Sequence, residues 1–215
     1  MARIGIIFDI DGVLVDSYAA HMHSWMRLAQ EQAASISEAQ FARTFGRTSR
    51  DIIAETFGVT APEEVRRLDD RKEEIYRDII RHALPAMPGA VEAVRRLCAA
   101  GFRVAVGSSG PPENVELVCR ELGLEALLSA RITGSDVQRG KPDPQVFLLA
   151  AERMGIEPRA CVVIEDAPAG VEAAKRAGMH CIALLGTHPA ASLAAADSVI
   201  EHLDELTSEL VLELV

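Results

Sequence analysis

Ile4-Gly5-Ile6-Ile7-Phe8-Asp9-Ile10-Asp11-Gly12 is the stretch on which the reading turns, a short apolar run that stops abruptly on two aspartates and a glycine. A run of this length rich in β-branched residues predicts a strand buried on both faces, as strands of parallel sheets are. Similar runs recur at Phe102 to Val106, Cys161 to Ile164 and Cys181 to Leu185. Ser198 to Ile200 adds a strand near the end, and Arg131 to Thr133 a short one. Between them lie amphipathic segments, each followed by a glycine (Gly101, Gly123, Gly155, Gly178) where a helix needs a left-handed C-cap. Strand and helix in alternation predict a doubly wound α/β core.

Residues from about Ser17 to Leu84 interrupt that alternation with helical periodicity and no convincing strand. Val65, Leu68, Lys72, Ile75 and Ile79 fall at steps of three and four, and Pro62 sits near the start of the segment, where its missing N–H does no harm. The insert is expected to be a small helical bundle over residues 17–87, with residues 1–16 and 88–215 forming the core. Met87-Pro88-Gly89 reads as the return point, before Ala90 to Leu97 resumes a helical pattern.

Composition narrows the function classes. With 215 residues, 49% of them hydrophobic, the chain has ample material for a packed core. A net charge of -10 repels polyanions, and no basic run offsets it, so nucleic acid is not an expected partner. An anionic substrate must then be held by local cations. Cys98, Cys119, Cys161 and Cys181 lie far apart, without metal-ligand spacing, and read as free thiols of a reducing compartment. Ile4 to Phe8 is far shorter than a signal segment or a membrane span, so a cytoplasmic protein with no membrane partner is expected.

Asp9 and Asp11 follow the first strand directly and so fall at the carboxyl edge of the sheet, where open α/β folds bind ligands. Two acids this close repel one another. Such a pair serves a cation or a proton transfer, or it is a solvated Asp-Gly turn. The other strand ends favour the first reading. Ser108-Ser109-Gly110 forms a small polar loop after one strand, suited to holding an anion. Glu165-Asp166 follows another, and two acidic pairs at one sheet edge make the oxygen-ligand set of a hard divalent cation. Lys141, one of only three lysines (72, 141 and 175), stands in Gly140-Lys141-Pro142-Asp143-Pro144, where the prolines restrict the backbone that presents it.

Taken in order, these four motifs resemble those of the haloacid dehalogenase superfamily. Asp9 to Ser17 matches the first motif, Ser108 the second, Lys141 the third and Glu165-Asp166 the fourth. The resemblance implies a Rossmann-like core with a helical cap inserted after the first motif, of the small-cap branch similar to β-phosphoglucomutases and phosphoglycolate phosphatases. It implies Asp9 as nucleophile and Asp11 as acid and base, the latter pointing to phosphate chemistry because true dehalogenases lack it. It further implies Mg²⁺ held by Asp9, the Asp11 carbonyl and Asp166, with Glu165 as a ligand or a partner behind one. Ser108, Ser109 and Lys141 would hold the phosphoryl oxygens.

In the cap, His21 and Trp25 lie one helical turn apart and resemble the first cap helix of the β-phosphoglucomutase-like branch, although a packed Trp beside a surface His has the same spacing. Lys72 resembles a cap lysine of that branch, and its spacing also suits a snorkelling side chain. Arg47 and Arg50 are candidates to contact an anionic leaving group, with His23 and Asp16 behind them. The expectation is a phosphatase of small phosphorylated metabolites, with a sugar-phosphate mutase as the alternative. A phosphate-accepting receiver module is disfavoured by the large insert and by the Asp9-x-Asp11 spacing. Small-cap members are often monomers, and a monomer is expected here.

Overall fold

The computed structural model describes residues 3–44 and 48–215. The chain divides into two compact units, one of residues 1–16 and 86–215, the other of Ser17–Pro85.

The larger unit is built on a sheet that, among the described residues, has six parallel strands: β1 (Gly5–Phe8), β2 (Arg103–Gly107), β3 (Leu128–Ile132), β4 (Cys161–Glu165), β5 (His180–Leu184) and β6 (Ser198–Ile200). Their order is β3-β2-β1-β4-β5-β6, with β1 central. The chain winds outward from β1 in one direction through β2 and β3, then crosses back to place β4 on its other side. The carboxyl ends of β1 and β4 thus flank the switch point where doubly wound folds bind ligands. Every residue of β1 and of β4 is buried, which accounts for the unbroken apolar runs.

Helices α5 (Ala90–Ala99), α6 (Pro112–Glu121), α7 (Gln145–Met154) and α8 (Pro168–Arg176) form the connections, and α9 (Ser208–Leu212) closes the chain. On one face Ile7, Ala105 and Val163 pack with Phe147, Ala150 and Met154 of α7 and with Val171 and Ala174 of α8. At roughly 25 cal/mol per Å² of apolar area, each fully buried Ile or Phe of such a layer contributes on the order of 2 kcal/mol. The anticipated strands are all present, with one notable shift. β3 spans Leu128–Ile132, starting earlier than the expected Arg131 to Thr133. It is an edge strand, with Ala130 and Ile132 turned inward and Ser129 and Arg131 exposed, so its apolar signal alternates and reads as shorter than it is.

The smaller unit contains α1 (Tyr18–Glu31), α2 (Glu38–Thr44), α3 (Ser49–Phe57) and α4 (Pro62–His82). α4 begins with Pro62 in its first turn, carries Glu63 and Glu64 there and ends on Arg81 and His82, each charge matched to the helix dipole. Trp25, Leu28, Phe41, Ile52, Ile53, Leu68 and Ile75 form the unit's own core. Val65 and Ile79 pack partly buried against that core, so the three- and four-residue spacing does mark the buried face of α4.

Where the chain leaves the larger unit and returns to it, Val15 pairs antiparallel with Ala86, and the Met87 N–H donates to the Leu14 carbonyl at 2.9 Å. Gly89, at φ 79°, then takes the left-handed conformation that opens α5.

Candidate active site

Strand register assembles the acidic cluster. Phe8 pairs with Ile164, and the Asp9 N–H donates to the Ile164 carbonyl at 3.0 Å, so Asp9 and Glu165 emerge at the same level of adjacent strands. Asp9, Glu165 and Asp166 are all buried, and one oxygen of each lies within 4.8 Å of the others. Lys141 reaches into this group. Its Nζ donates to Asp9 Oδ1 at 2.9 Å and to Glu165 Oε1 at 2.7 Å, and it stands 5.0 Å from the centroid of the Phe147 ring.

Glu165 is fully buried, and protein donors answer both of its oxygens. Oε1 accepts from Lys141, while Oε2 accepts from the backbone N–H groups of Asp166 and Ala167 at 2.8 and 2.9 Å. Glycine admits the remaining close contacts. Gly12, at φ 76°, passes so near Asp166 that a Cβ there would lie 1.9 Å from Oδ2.

Lys141 is the one ammonium in contact with this acidic cluster among the described residues, and both Asp9 and Asp166 are raised above the ordinary carboxylate range. Burial pushes Asp9 up to about 8; Lys141 opposes this, while Glu165 and Asp11 add to it. Burial likewise raises Asp166 to about 7, with a contribution from the Glu165 charge and an opposing hydrogen bond from Thr187. Burial alone would lower the Lys141 ammonium, but the Asp9 and Glu165 charges outweigh it and hold Lys141 above the ordinary lysine value. A cluster in which carboxylates must protonate or find another cation has the donor chemistry of a hard divalent ion site.

Ser108 follows β2, almost fully buried, with its N–H donated to the Ile132 carbonyl and its Oγ accepting the Gly110 N–H at 3.0 Å. Gly134 presses on this loop, where a Cβ would fall 2.4 Å from the Ser109 carbonyl oxygen. Ser109 itself is exposed. Asp11 is half-buried and bridges to Val15 in the turn after β1. Asp16 and His23 are exposed and stand outside any described cluster.

In the helical unit, Lys72 is only 3% exposed, so it does not snorkel. Its Nζ lies 2.7 Å from His21 Nδ1 and 2.8 Å from Glu73 Oε1, with the Trp25 and Tyr76 rings 5.6 and 5.4 Å away. The His21 ring, half-buried, stacks on Tyr76 at 4.1 Å, 9° from parallel. Arg50 is exposed and lines a cavity of about 340 Å³ with Thr60, Arg66 and Asp69. Arg47 lies outside the described residues.

Sequence reasoning missed Glu73 and Tyr76, which follow Lys72 by one residue and by one helical turn. It also missed Thr187, in the loop that follows β5, whose side chain hydrogen-bonds Asp166. Among the described residues no helix is long and apolar enough to cross a membrane.

Residues 5–178 match the haloacid dehalogenase-like hydrolase family model, and the chain belongs to that family of enzymes. Among its relatives is validoxylamine A 7'-phosphate phosphatase of Streptomyces hygroscopicus subsp. limoneus, 34% identical, with 93% of this chain and 94% of that protein covered. The β-phosphoglucomutase of Bacillus subtilis is 28% identical, over 97% and 93% of the two chains. A haloacid dehalogenase hydrolase from Entamoeba histolytica superposes with a TM-score of 0.90 over 100% of this chain and 99% of that one; at 23% identity it speaks to the fold alone.

Proposed function

We propose that the protein is a Mg²⁺-dependent phosphatase of small phosphorylated metabolites, sugar or organic-acid phosphates, acting through an aspartyl-phosphate on Asp9. The observation that carries this reading is the contact of the Lys141 ammonium with Asp9 at the end of the central strand, beside the buried carboxylate of Asp166. The phosphatase among its relatives supports the reaction class.

Asp9 attacks phosphorus as its Oδ–P bond forms and the bond from phosphorus to the leaving oxygen breaks. Asp11 gives that oxygen a proton, so it starts the cycle protonated. Water then loses a proton to Asp11 and attacks phosphorus, the Oδ–P bond breaks, and inorganic phosphate leaves. Ser108, the Ser109 backbone N–H and Lys141 hold the phosphoryl oxygens, where fixed donors are worth most. The carboxylates of Asp9 and Asp166 and the Asp11 carbonyl fit Mg²⁺, with Glu165 holding Lys141 behind them. The ion, when bound, neutralises the anionic nucleophile and the phosphate it must meet. We assign His21, Arg50 and Lys72 of the helical unit to substrate selection.

A mutase is the second reading, favoured by similarity to the Bacillus enzyme. A mutase passes the phosphoryl group to a second hydroxyl and needs donors for two phosphates. After Ser109 this chain offers Gly110-Pro111-Pro112, with no side-chain donor and two residues lacking an N–H. Release of inorganic phosphate from a panel of sugar and organic-acid phosphates, with Mg²⁺ present, tests the hydrolase. Incubation with β-glucose 1-phosphate and catalytic 1,6-bisphosphate, followed by phosphorus NMR, tests the mutase. Rapid glucose 6-phosphate with little free phosphate would replace the hydrolase reading.

A further inference from the structure

Gly170 lies in α8, within an ordinary helical stretch where alanine is intrinsically preferred to glycine. Its φ is not in the left-handed region, so its backbone conformation does not demand glycine. The demand comes from Glu165. A Cβ at position 170 would lie 1.7 Å from Glu165 Oε1, 1.9 Å from Cδ and 2.5 Å from Oε2, so the carboxylate fills the place of the missing side chain.

Carboxylates at the end of a flexible chain ordinarily swing aside, but this one is confined. It is 0% exposed, and Lys141 and the N–H groups of Asp166 and Ala167 hold both oxygens. Any shift of Oε1 is passed to Lys141 Nζ, which bridges Glu165 and Asp9 at 2.7 and 2.9 Å.

The geometry points to Gly170 as a positioning residue for the nucleophile: the absence of a side chain on α8 sets where Glu165 sits, Glu165 sets Lys141, and Lys141 sets Asp9. The inference rests on the assignment of Asp9 as nucleophile only for its kinetic consequence; the linkage from Gly170 to Lys141 stands on distances alone.

The experiment compares wild type, Gly170→Ala, and Gly170→Ala with Glu165→Asp, in which the carboxylate is one methylene shorter. Gly170→Ala should lose about 10- to 100-fold in kcat with KM within about two-fold, the size expected when a reacting group is displaced by about an ångström. The double variant should regain at least about five-fold of that loss, because the shorter acid clears the new methyl. Wild-type kcat in folded Gly170→Ala, or no recovery in the double variant, overturns the inference.

Two measurements do not depend on turnover. In a Glu165→Ala background, Gly170→Ala should raise the melting temperature, since helix preference then acts without the clash; a fall locates the clash elsewhere and overturns the inference. A crystal structure of Gly170→Ala should show the Lys141 Nζ to Asp9 Oδ1 contact lengthened beyond 2.9 Å, and an unmoved contact equally overturns it. If the wild-type protein hydrolyses no phosphomonoester, the functional reading fails while these two measurements still decide the positioning.

Discussion

Asp166→Asn removes one charge from the acidic cluster while nearly preserving shape, and it should stabilise the fold when no divalent ion is present. In the folded chain burial raises Asp166 from its ordinary 3.8 to about 7. Between those two values the folded state binds a proton that the unfolded state releases, so stability falls as pH rises through that window and levels off above it. The shift of about three units, at ~1.4 kcal/mol each, sets the cost of the ionised group above pH 7 at about 4 kcal/mol. Water entering the site could relieve half of that. In EDTA at pH 8 the Asn variant should therefore be more stable by about 2–4 kcal/mol, or about 5–10 °C in melting temperature for a chain of this size. Calorimetric scans from pH 8 down to pH 4 should show the gap shrinking and closing near pH 4. Adding Mg²⁺ should cancel most of the gap, raising the wild type by about 2.7 kcal/mol at a hundred times its Kd and leaving the variant unmoved. A variant no more stable than wild type at pH 8 in EDTA, or a gap that does not change with pH, would refute the buried-charge argument.

Asp9→Asn, whose amide is a poor nucleophile of nearly the same size, should lower kcat by at least about 10³-fold with unchanged circular dichroism. Activity above a few per cent would remove Asp9 from that role. Phosphate release should stop in EDTA and return with Mg²⁺, whereas Ca²⁺ should inhibit because its looser, longer coordination misplaces the reacting groups. Full turnover after thorough chelation would end the metal reading. Ile53→Ala, at a fully buried position in the helical unit, should cost about 2–4 kcal/mol in urea unfolding. A loss under about 1 kcal/mol would mean that this core is poorly packed.

The strand ends were legible because a fully buried parallel strand spells a continuous apolar run, and the first polar residue after it marks the sheet edge. Asp9, Ser108 and Glu165 were found in that way. β3 was read short for the complementary reason, since an edge strand alternates Ala130 and Ile132 with Ser129 and Arg131. Helical periodicity picked out the face of α4 but could not distinguish an ammonium buried beside His21 and Glu73 from one snorkelling to water, because that depends on contacts fifty residues apart. The grip of Lys141 on Glu165 was equally hidden. Two residues in different motifs came together only through the β1–β4 register and the path of the loop before α7. Gly170 carried no sequence signal, since nothing local distinguishes a glycine required by a neighbour's carboxylate from one tolerated in a helix.

The bridge between Val15 and Ala86, with Met87 donating to Leu14, makes the two ends of the inserted helices neighbours in the backbone. To the sheet, the whole insert is one excursion of the chain whose ends are already pinned together. Lengthening such an excursion costs little, because closure entropy grows only with the logarithm of loop length, about 0.6 kcal/mol for each doubling. The core can therefore tolerate inserts of very different size between Asp16 and Ala86, including a turn of a few residues.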